Sequence, residues 1–228
     1  RYPGADTIEA FADNLRQGRY CITEIPEDRQ DLLPRYSPRK GEPGTSYCKW
    51  GGFISDVDRF DAGFFGYTPR MADLADPQER LFLETSWHLL ERAGHTRAHL
   101  AERYGKRVGV FVGAMYNQYA SLAEDPETRK LLALQSYSSI ANRTSFFFDL
   151  QGPSTAVDSM CSSGLQAVHL ACQSLLSGES RLAIAGGVNL TIHPAKYESL
   201  SGAALLGSHS SSRAFSGGDG YLPAEGVG

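Results

Sequence analysis

The chain is poor in the features that would place it outside the cell, across a membrane or on nucleic acid. It has only four cysteines in 228 residues, at positions 21, 48, 161 and 172. None forms a Cys-x-x-Cys pair and none has a ligand-like spacing to histidine, which argues against a zinc module and a disulfide framework. Cys161 and Cys172 fall on one helical stretch about 16 Å of rise apart, too far to be bridged. This usage fits a reducing cytoplasm. No apolar run approaches the roughly 20 residues of a membrane span. Net charge is -4, from 22 basic and 26 acidic side chains. No basic stripe marks a nucleic-acid surface. There is no internal repeat, and the single biased patch is Ser-rich, at 208–212. No signal peptide stands at Arg1, and Glu225 to Gly228 reads as the entry to a strand, so both ends read as cut.

What is present suits a large core, since 41% of residues are hydrophobic. Asp6 to Leu15 reads as a helix with Asp6 and Glu9 at capping-box spacing and Ile8, Phe11 and Leu15 as its apolar stripe. Residues 19–50 lack periodicity and read as a long excursion. Phe60, Phe64, Phe65 and Tyr67 read as aromatic packing. Pro77 to Ala93 is the clearest helix, with Asp76 as cap, Pro77 at the first position and Glu79 closing the box. Its core face is read as Leu81, Phe82, Leu89, Leu90 and Ala93. Arg107–Gly113, Thr155–Val157 and Leu182–Val188 read as strands, and Ser136 to Phe147 as a helix. Strands alternating with helices predict an α/β fold with a mainly parallel sheet.

Cys161 is the candidate functional residue. It follows the strand Thr155–Val157 by four residues, and Leu165, Val168, Cys172, Leu175 and Leu176 then recur at helical spacing. It therefore stands at a strand-to-helix corner. Free amides and the dipole of a helix start favour the thiolate, the reactive form. The same amides can hold the oxyanion of a thioester under attack. Ser159 and Ser163 flank it at the positions where a sharp turn wants small residues. The plain alternative is an inert cysteine packed beside a buried helix. That helix is apolar nearly all round, with Ala167, Leu170 and Ala171 adding to the stripe, which predicts cover from two layers. A cysteine nucleophile works with a histidine. His169 is two helical turns away, His88 lies inside a helix, and His95 and His99 read as loop. His193 and His209 would have to approach by folding. Either the partner lies beyond this segment or Cys161 is not catalytic.

The run Val157-Asp-Ser-Met-Cys-Ser-Ser-Gly-Leu-Gln-Ala-Val-His169 resembles the active-site segment of β-ketoacyl synthases, and most of all the ketosynthase domains of modular polyketide synthases. Arg1–Ala5, Lys49–Phe53, Asp76–Leu81, Ala141–Arg143, Phe148–Ser154, Ala185–Leu190, Asp219–Tyr221 and Glu225–Gly228 resemble further blocks in family order. Met160 and the Lys49–Phe53 block look most like the sub-type served by separate acyltransferases. The resemblance implies a thiolase-like layered αβαβα fold, of which this chain is mostly the first α/β half, the N-terminal part of the domain. It implies that Cys161 accepts an acyl chain from the phosphopantetheine of an acyl carrier protein and condenses it with a decarboxylating malonyl-type unit. Met160 would line the acyl pocket, or else fill the core. No cofactor or metal would be bound directly. The partners implied are acyl carrier protein domains, a second copy in a homodimer paired through the strand before Cys161, and other polyketide synthase domains. The family's two catalytic histidines belong to its second half and are not found here. The resemblance also places a central strand before Arg1, so the sheet is expected to lack its middle and the chain to be inactive alone. Two other readings are a cysteine hydrolase and a catalytically silent dimerisation or carrier-docking segment.

Overall fold

The computed structural model describes residues 1–32, 35–133 and 136–228. The helices are α1 (Ile8–Arg16), α2 (Pro69–Leu74), α3 (Pro77–Arg92), α4 (Arg97–Tyr104), α5 (Pro126–Ala133), α6 (Ser138–Phe148), α7 (Ser163–Leu176) and α8 (Ala195–Gly202). The strands are β1 (Thr23–Glu24), β2 (Arg35–Tyr36), β3 (Thr45–Ser46), β4 (Trp50–Gly51), β5 (Val108–Gly113), β6 (Ser154–Val157), β7 (Leu182–Asn189) and β8 (Gly226–Val227). The chain divides into two compact units, Arg1–Ser55 with Leu190–Gly226, and Asp56–Asn189 with Val227–Gly228.

The first unit holds the long excursion. Its two-residue strands pair as β1 with β4 and β2 with β3. Its core gathers Ile25, Leu32, Tyr47, Cys48, Tyr197, Leu200 and Leu206. The Glu225 carboxylate is fully buried and accepts from Arg29, at 2.6 Å, and from the amides of Thr191 and Ile54. Such pairing is what makes a buried carboxylate tolerable. Helix α1 is capped by Thr7, whose hydroxyl accepts from the Ala10 amide, and not by Asp6, which pairs with Arg1. The extended backbone of Thr7 suits the cap position. Ile8 and Leu15 are exposed, and Phe11 stacks on Tyr2.

The second unit is a three-layer sandwich around a sheet of order β6-β5-β7-β8. Strand β5 runs parallel to β6 on one side and to β7 on the other. Gly187 and Gly228 exchange both amide–carbonyl bonds, the mark of an antiparallel pair at the β8 edge. The expected gap at the middle of the sheet is thus absent. Six consecutive rungs join β5 directly to β7, from Val108–Leu182 to Gly113–Gly187, so no central position is vacant. Alternation along the strands assigns the faces. Phe111, Ala183 and Ala185 turn to α7. The opposite face meets α3 and α6: Phe82 lies against Gly186, and the Ser145 hydroxyl donates to that of Ser154.

Two expectations about the helices change. In α3 the Asp76 side chain caps the Gln78 amide as predicted, but Glu79 is directed at the Tyr67 hydroxyl and Arg143. Leu81, Phe82 and Leu90 are buried while Leu89 and Ala93 are exposed, and Leu83 and Ser86 take their places in the core. Helix α7 is not enclosed on both sides among the described residues. Its small residues Ser163, Ala167, Ala171 and Ser174 are buried, while Leu165, Val168, Cys172, Leu175 and Leu176 are exposed. The chain supplies one sheet face for α7, and a helix can bury only one stripe on one sheet. The aromatic cluster is as read: Phe60 stacks on Phe65 and meets Tyr67 edge-on. No helix among the described residues is long and apolar enough to cross a membrane.

Candidate active site

Cys161 lies in the turn between β6 and α7, two residues before the helix begins, and is exposed. The turn is stapled by its own short side chains. The Ser163 hydroxyl donates to the Met160 carbonyl at 2.6 Å and accepts from the Ser159 amide at 3.0 Å. The Ser162 hydroxyl donates to the Ser159 carbonyl at 2.8 Å. The Met160 amide donates to the Asp158 carboxylate at 2.9 Å. The small residues expected for steric reasons therefore also act through hydrogen bonds, which hold the corner open against the pull of regular helix.

Met160 carries the strain of the turn. Its φ is 60°, a left-handed conformation that costs a residue with a Cβ about 1–2 kcal/mol. Such outliers persist where the surroundings over-determine them. Its side chain is 63% exposed, so it fills no core among the described residues. Met160 and Cys161 are thus presented together at the surface of the corner.

Glycine sets the depth of that corner. An ideal Cβ on Gly113, at the end of β5, would lie 2.5 Å from the Ser163 carbonyl carbon and 2.6 Å from the Gly164 nitrogen. Only a bare backbone there lets the first turn of α7 sit on the strand. The corner therefore lies at the C-terminal ends of parallel strands β5, β6 and β7, where open α/β sheets place their sites. Ser162, the N-cap of α7, makes no side-chain cap bond, unlike Thr7, Thr68, Asp76 and Thr96 at the starts of α1 to α4. The helix start nearest the thiol is left without a competing side-chain acceptor.

Two neighbours were not anticipated. Burial, then the electrostatic influence of nearby Cys161 and Asp158, pushes the Tyr116 hydroxyl up in pKa. Tyr116 follows β5, and its carbonyl accepts from Gln78 Nε2 at 2.7 Å. Tyr137 is raised by burial and by Asp158, and its hydroxyl donates to the Met115 carbonyl at 2.7 Å. Both follow β5 in the chain, and nothing in the local sequence pattern singles either of them out.

The histidines are occupied elsewhere. His169 is exposed on α7, about 12 Å of helix rise from Cys161. His88 lies 3.7 Å from Glu91, and His95 and His99 face each other. In the first unit, His193 Nδ1 accepts from the Ala195 amide and His209 Nδ1 pairs with the Ser208 hydroxyl. No hydrogen bond reaches the Cys161 sulfur among the described residues. Nor do three or more His, Cys, Asp or Glu side chains among them converge on a metal position. The site is therefore an accessible thiol at a helix start, with no histidine hydrogen-bonded to it among the described residues.

A family model described as the N-terminal domain of β-ketoacyl synthase matches residues 1–228. The chain belongs to the β-ketoacyl synthase family. Polyketide synthase PksL of Bacillus subtilis (strain 168) is 51% identical over 235 residues, covering 100% of this chain and 5% of that protein. Polyketide synthase ThaG of Burkholderia thailandensis is 52% identical over 231 residues, covering 100% of this chain and 4% of that protein. Among solved structures, the oxazolomycin ketosynthase domain OzmH KS7 of Streptomyces albus JA3453 superposes with a TM-score of 0.92 at 49% identity, over 100% of this chain and 40% of that one. The ketosynthase from module 6 of the bacillaene synthase of Bacillus subtilis 168 gives 0.84 at 33% identity, over 100% of this chain and 37% of that one. The fold is thus thiolase-like α/β, and the chain is a ketosynthase segment that spans well under half of each solved ketosynthase chain.

Proposed function

We propose that this ketosynthase chain is the N-terminal part of a condensing acyltransferase domain and that Cys161 is its nucleophile. One observation carries the reading: an exposed thiol stands at a stapled strand-to-helix corner, beside a helix start with no side-chain cap. The thiolate attacks the thioester carbon of an acyl chain held on the phosphopantetheine of an acyl carrier protein. A carbon–sulfur bond forms at Cys161, and the pantetheine sulfur leaves as thiolate. A malonyl-type unit on a carrier then loses carbon dioxide to give an enolate. The enolate carbon attacks the acyl-Cys161 thioester, the Cys161 sulfur leaves, and a β-ketoacyl thioester remains on the carrier. The Cys161 amide supplies one oxyanion donor, and Met160 lines the acyl pocket. The catalytic histidines and the second oxyanion donor come from the second half of the domain, so this segment alone is inactive.

The bare face of α7 supports the same reading. Leu165, Val168, Leu175 and Leu176 form a second apolar side for which the second α/β half supplies a cover, completing five layers. Strand β6 is the sheet edge and is the surface through which a homodimer pairs. The domain works with other polyketide synthase domains, in the cytoplasm, and is of the sub-type served by separate acyltransferases.

The test is acylation of the intact domain by an acyl-carrier thioester, read by mass on the Cys161 peptide. Acylation that is lost in Cys161→Ala, followed by a β-ketoacyl product once malonyl-carrier is added, supports condensation. Free acid in place of that product would indicate a hydrolase. An unmodified Cys161 beside another, reactive cysteine would leave a docking segment.

A further inference from the structure

Away from the Cys161 corner, the turn between α3 and α4 brings two imidazoles face to face. His95 Nδ1 and His99 Nδ1 are 3.4 Å apart, and His99 Nδ1 is 3.2 Å from the Gly94 carbonyl oxygen. Two nitrogens bound to one tetrahedral zinc at the usual bond length stand about 3.3–3.4 Å apart. The pair therefore already has the bite of a metal chelate, with a carbonyl oxygen beside one of its two nitrogens.

The backbone explains why the rings meet. Helix α3 ends with the His95 amide donating to the Leu90 carbonyl at 2.8 Å and the Gly94 amide to that of Glu91 at 3.0 Å. Gly94 takes a φ of 72°, the left-handed step that this helix-ending motif requires. Two residues later Thr96 caps α4, and its hydroxyl accepts from the His99 amide at 3.1 Å. His95 is thus held by the end of one helix and His99 by the start of the next. Tyr104, on α4, sets its ring edge-on to His95 with centroids 5.6 Å apart. Neither imidazole has to search for its partner, so the ordering cost of chelation is low. Arg97 lies over the Phe147 ring at 4.2 Å and Arg103 over the Tyr104 ring at 5.8 Å, so both nearby cations are engaged with aromatic faces.

We propose that His95 Nδ1, His99 Nδ1 and the Gly94 carbonyl form a binding site for a borderline divalent transition metal of the zinc class. Solvent completes the coordination. Without metal, the hydrogen between the rings is shared among these three atoms. Binding moves that hydrogen to the Nε2 of its ring, so both Nδ1 lone pairs face the ion and no net proton is released. Imidazole ligands suit zinc, nickel and copper, and copper binds tightest of the series.

The experiment uses the intact, chelator-stripped protein with Zn2+ alone, by calorimetry, and Cu2+ alone, by electron paramagnetic resonance. Wild type is expected to take up one equivalent of zinc at this turn and to show copper coupled to two equivalent nitrogens. Loss of even a group supporting a ligand weakens metal binding about 10–100-fold. His95→Ala and His99→Ala should each cost at least that, while His88→Ala and His169→Ala leave binding intact. Zinc should raise the Tm of wild type and not of the two variants, because a ligand that binds only the folded state stabilises it. Each variant's Tm without metal, close to that of wild type, separates lost ligation from lost folding. Binding unchanged in both variants, or reduced equally in His88→Ala, would overturn the assignment. So would a wild type that takes up no zinc, which would leave the pair as a shared-hydrogen contact.

Discussion

Gly113→Ala tests how the corner is built. The added Cβ would meet the Ser163 carbonyl carbon at 2.5 Å, the Gly164 nitrogen at 2.6 Å and the Ser163 oxygen at 2.7 Å. All three are backbone atoms, so no side chain can swing aside. Ordinary contact begins near 3.4 Å, so β5 and the start of α7 must separate by about 1 Å. Overpacking of this kind costs about 1–3 kcal/mol. The Gly-to-Ala change recovers about 0.4–1 kcal/mol by restricting the unfolded chain. The upper part of the range should therefore survive as a net loss of about 1–2 kcal/mol, and Tm should fall by roughly 2–4 °C per kcal/mol in a chain of this size. Function should suffer more, because a 1 Å misplacement can cost about 10²-fold in rate. Gly187→Ala is the matched control: it faces the same helix start, yet its Cβ would meet the Gly113 oxygen at 3.4 Å and the Gly164 Cα at 3.8 Å. The assays are urea unfolding and the rate of iodoacetamide alkylation and acyl transfer at Cys161 in the intact domain. Equal stability and equal Cys161 reactivity in the two variants would refute the claim that Gly113 sets the position of Cys161.

Other substitutions probe separate parts of the argument. Burial holds the Asp76 carboxyl up at about 6, against about 3.9 in the unfolded chain. The fold therefore favours its protonated form: this stabilisation, about 3 kcal/mol, is complete below the unfolded value and is lost as pH rises through about 6. Asp76→Asn should flatten the stability profile between pH 4 and 7, as followed by urea midpoints. Glu225→Ala removes one partner of a buried pair and strands Arg29, which should cost about 3–5 kcal/mol in chemical denaturation. Met160→Val should destabilise more than Met160→Gly, because a β-branched residue tolerates a φ of 60° worst of all. The reverse order in thermal melts would mean that the turn relaxes when Met160 is replaced.

The strand-to-helix corner at Cys161 was legible because its ingredients are local. A short apolar run, a cysteine four residues on and a 3.6-residue apolar repeat specify strand, turn and helix with little help from elsewhere. The same holds for α3, where Asp76, Pro77 and the stripe of Leu81, Phe82 and Leu90 agree. Capping details were harder, since Asp6 or Thr7 could open α1, and only the extended backbone at Thr7 decides between them. Helix α4 escaped notice because its eight residues carry a single buried leucine, Leu100.

By itself the sequence determined the alternation of strands and helices, the place of Cys161 at a helix start, and the family blocks along the chain. Each depends on neighbours a few residues apart, where spacing and side-chain type are the physical causes. Tertiary structure alone decided that β5 pairs with β7, that Gly113 and α7 share one narrow space, that Tyr116 comes within electrostatic reach of Cys161, and that His95 and His99 meet nitrogen to nitrogen. Those facts depend on which surfaces come together across long stretches of chain, and hydrophobic periodicity says that a face is buried without saying against what.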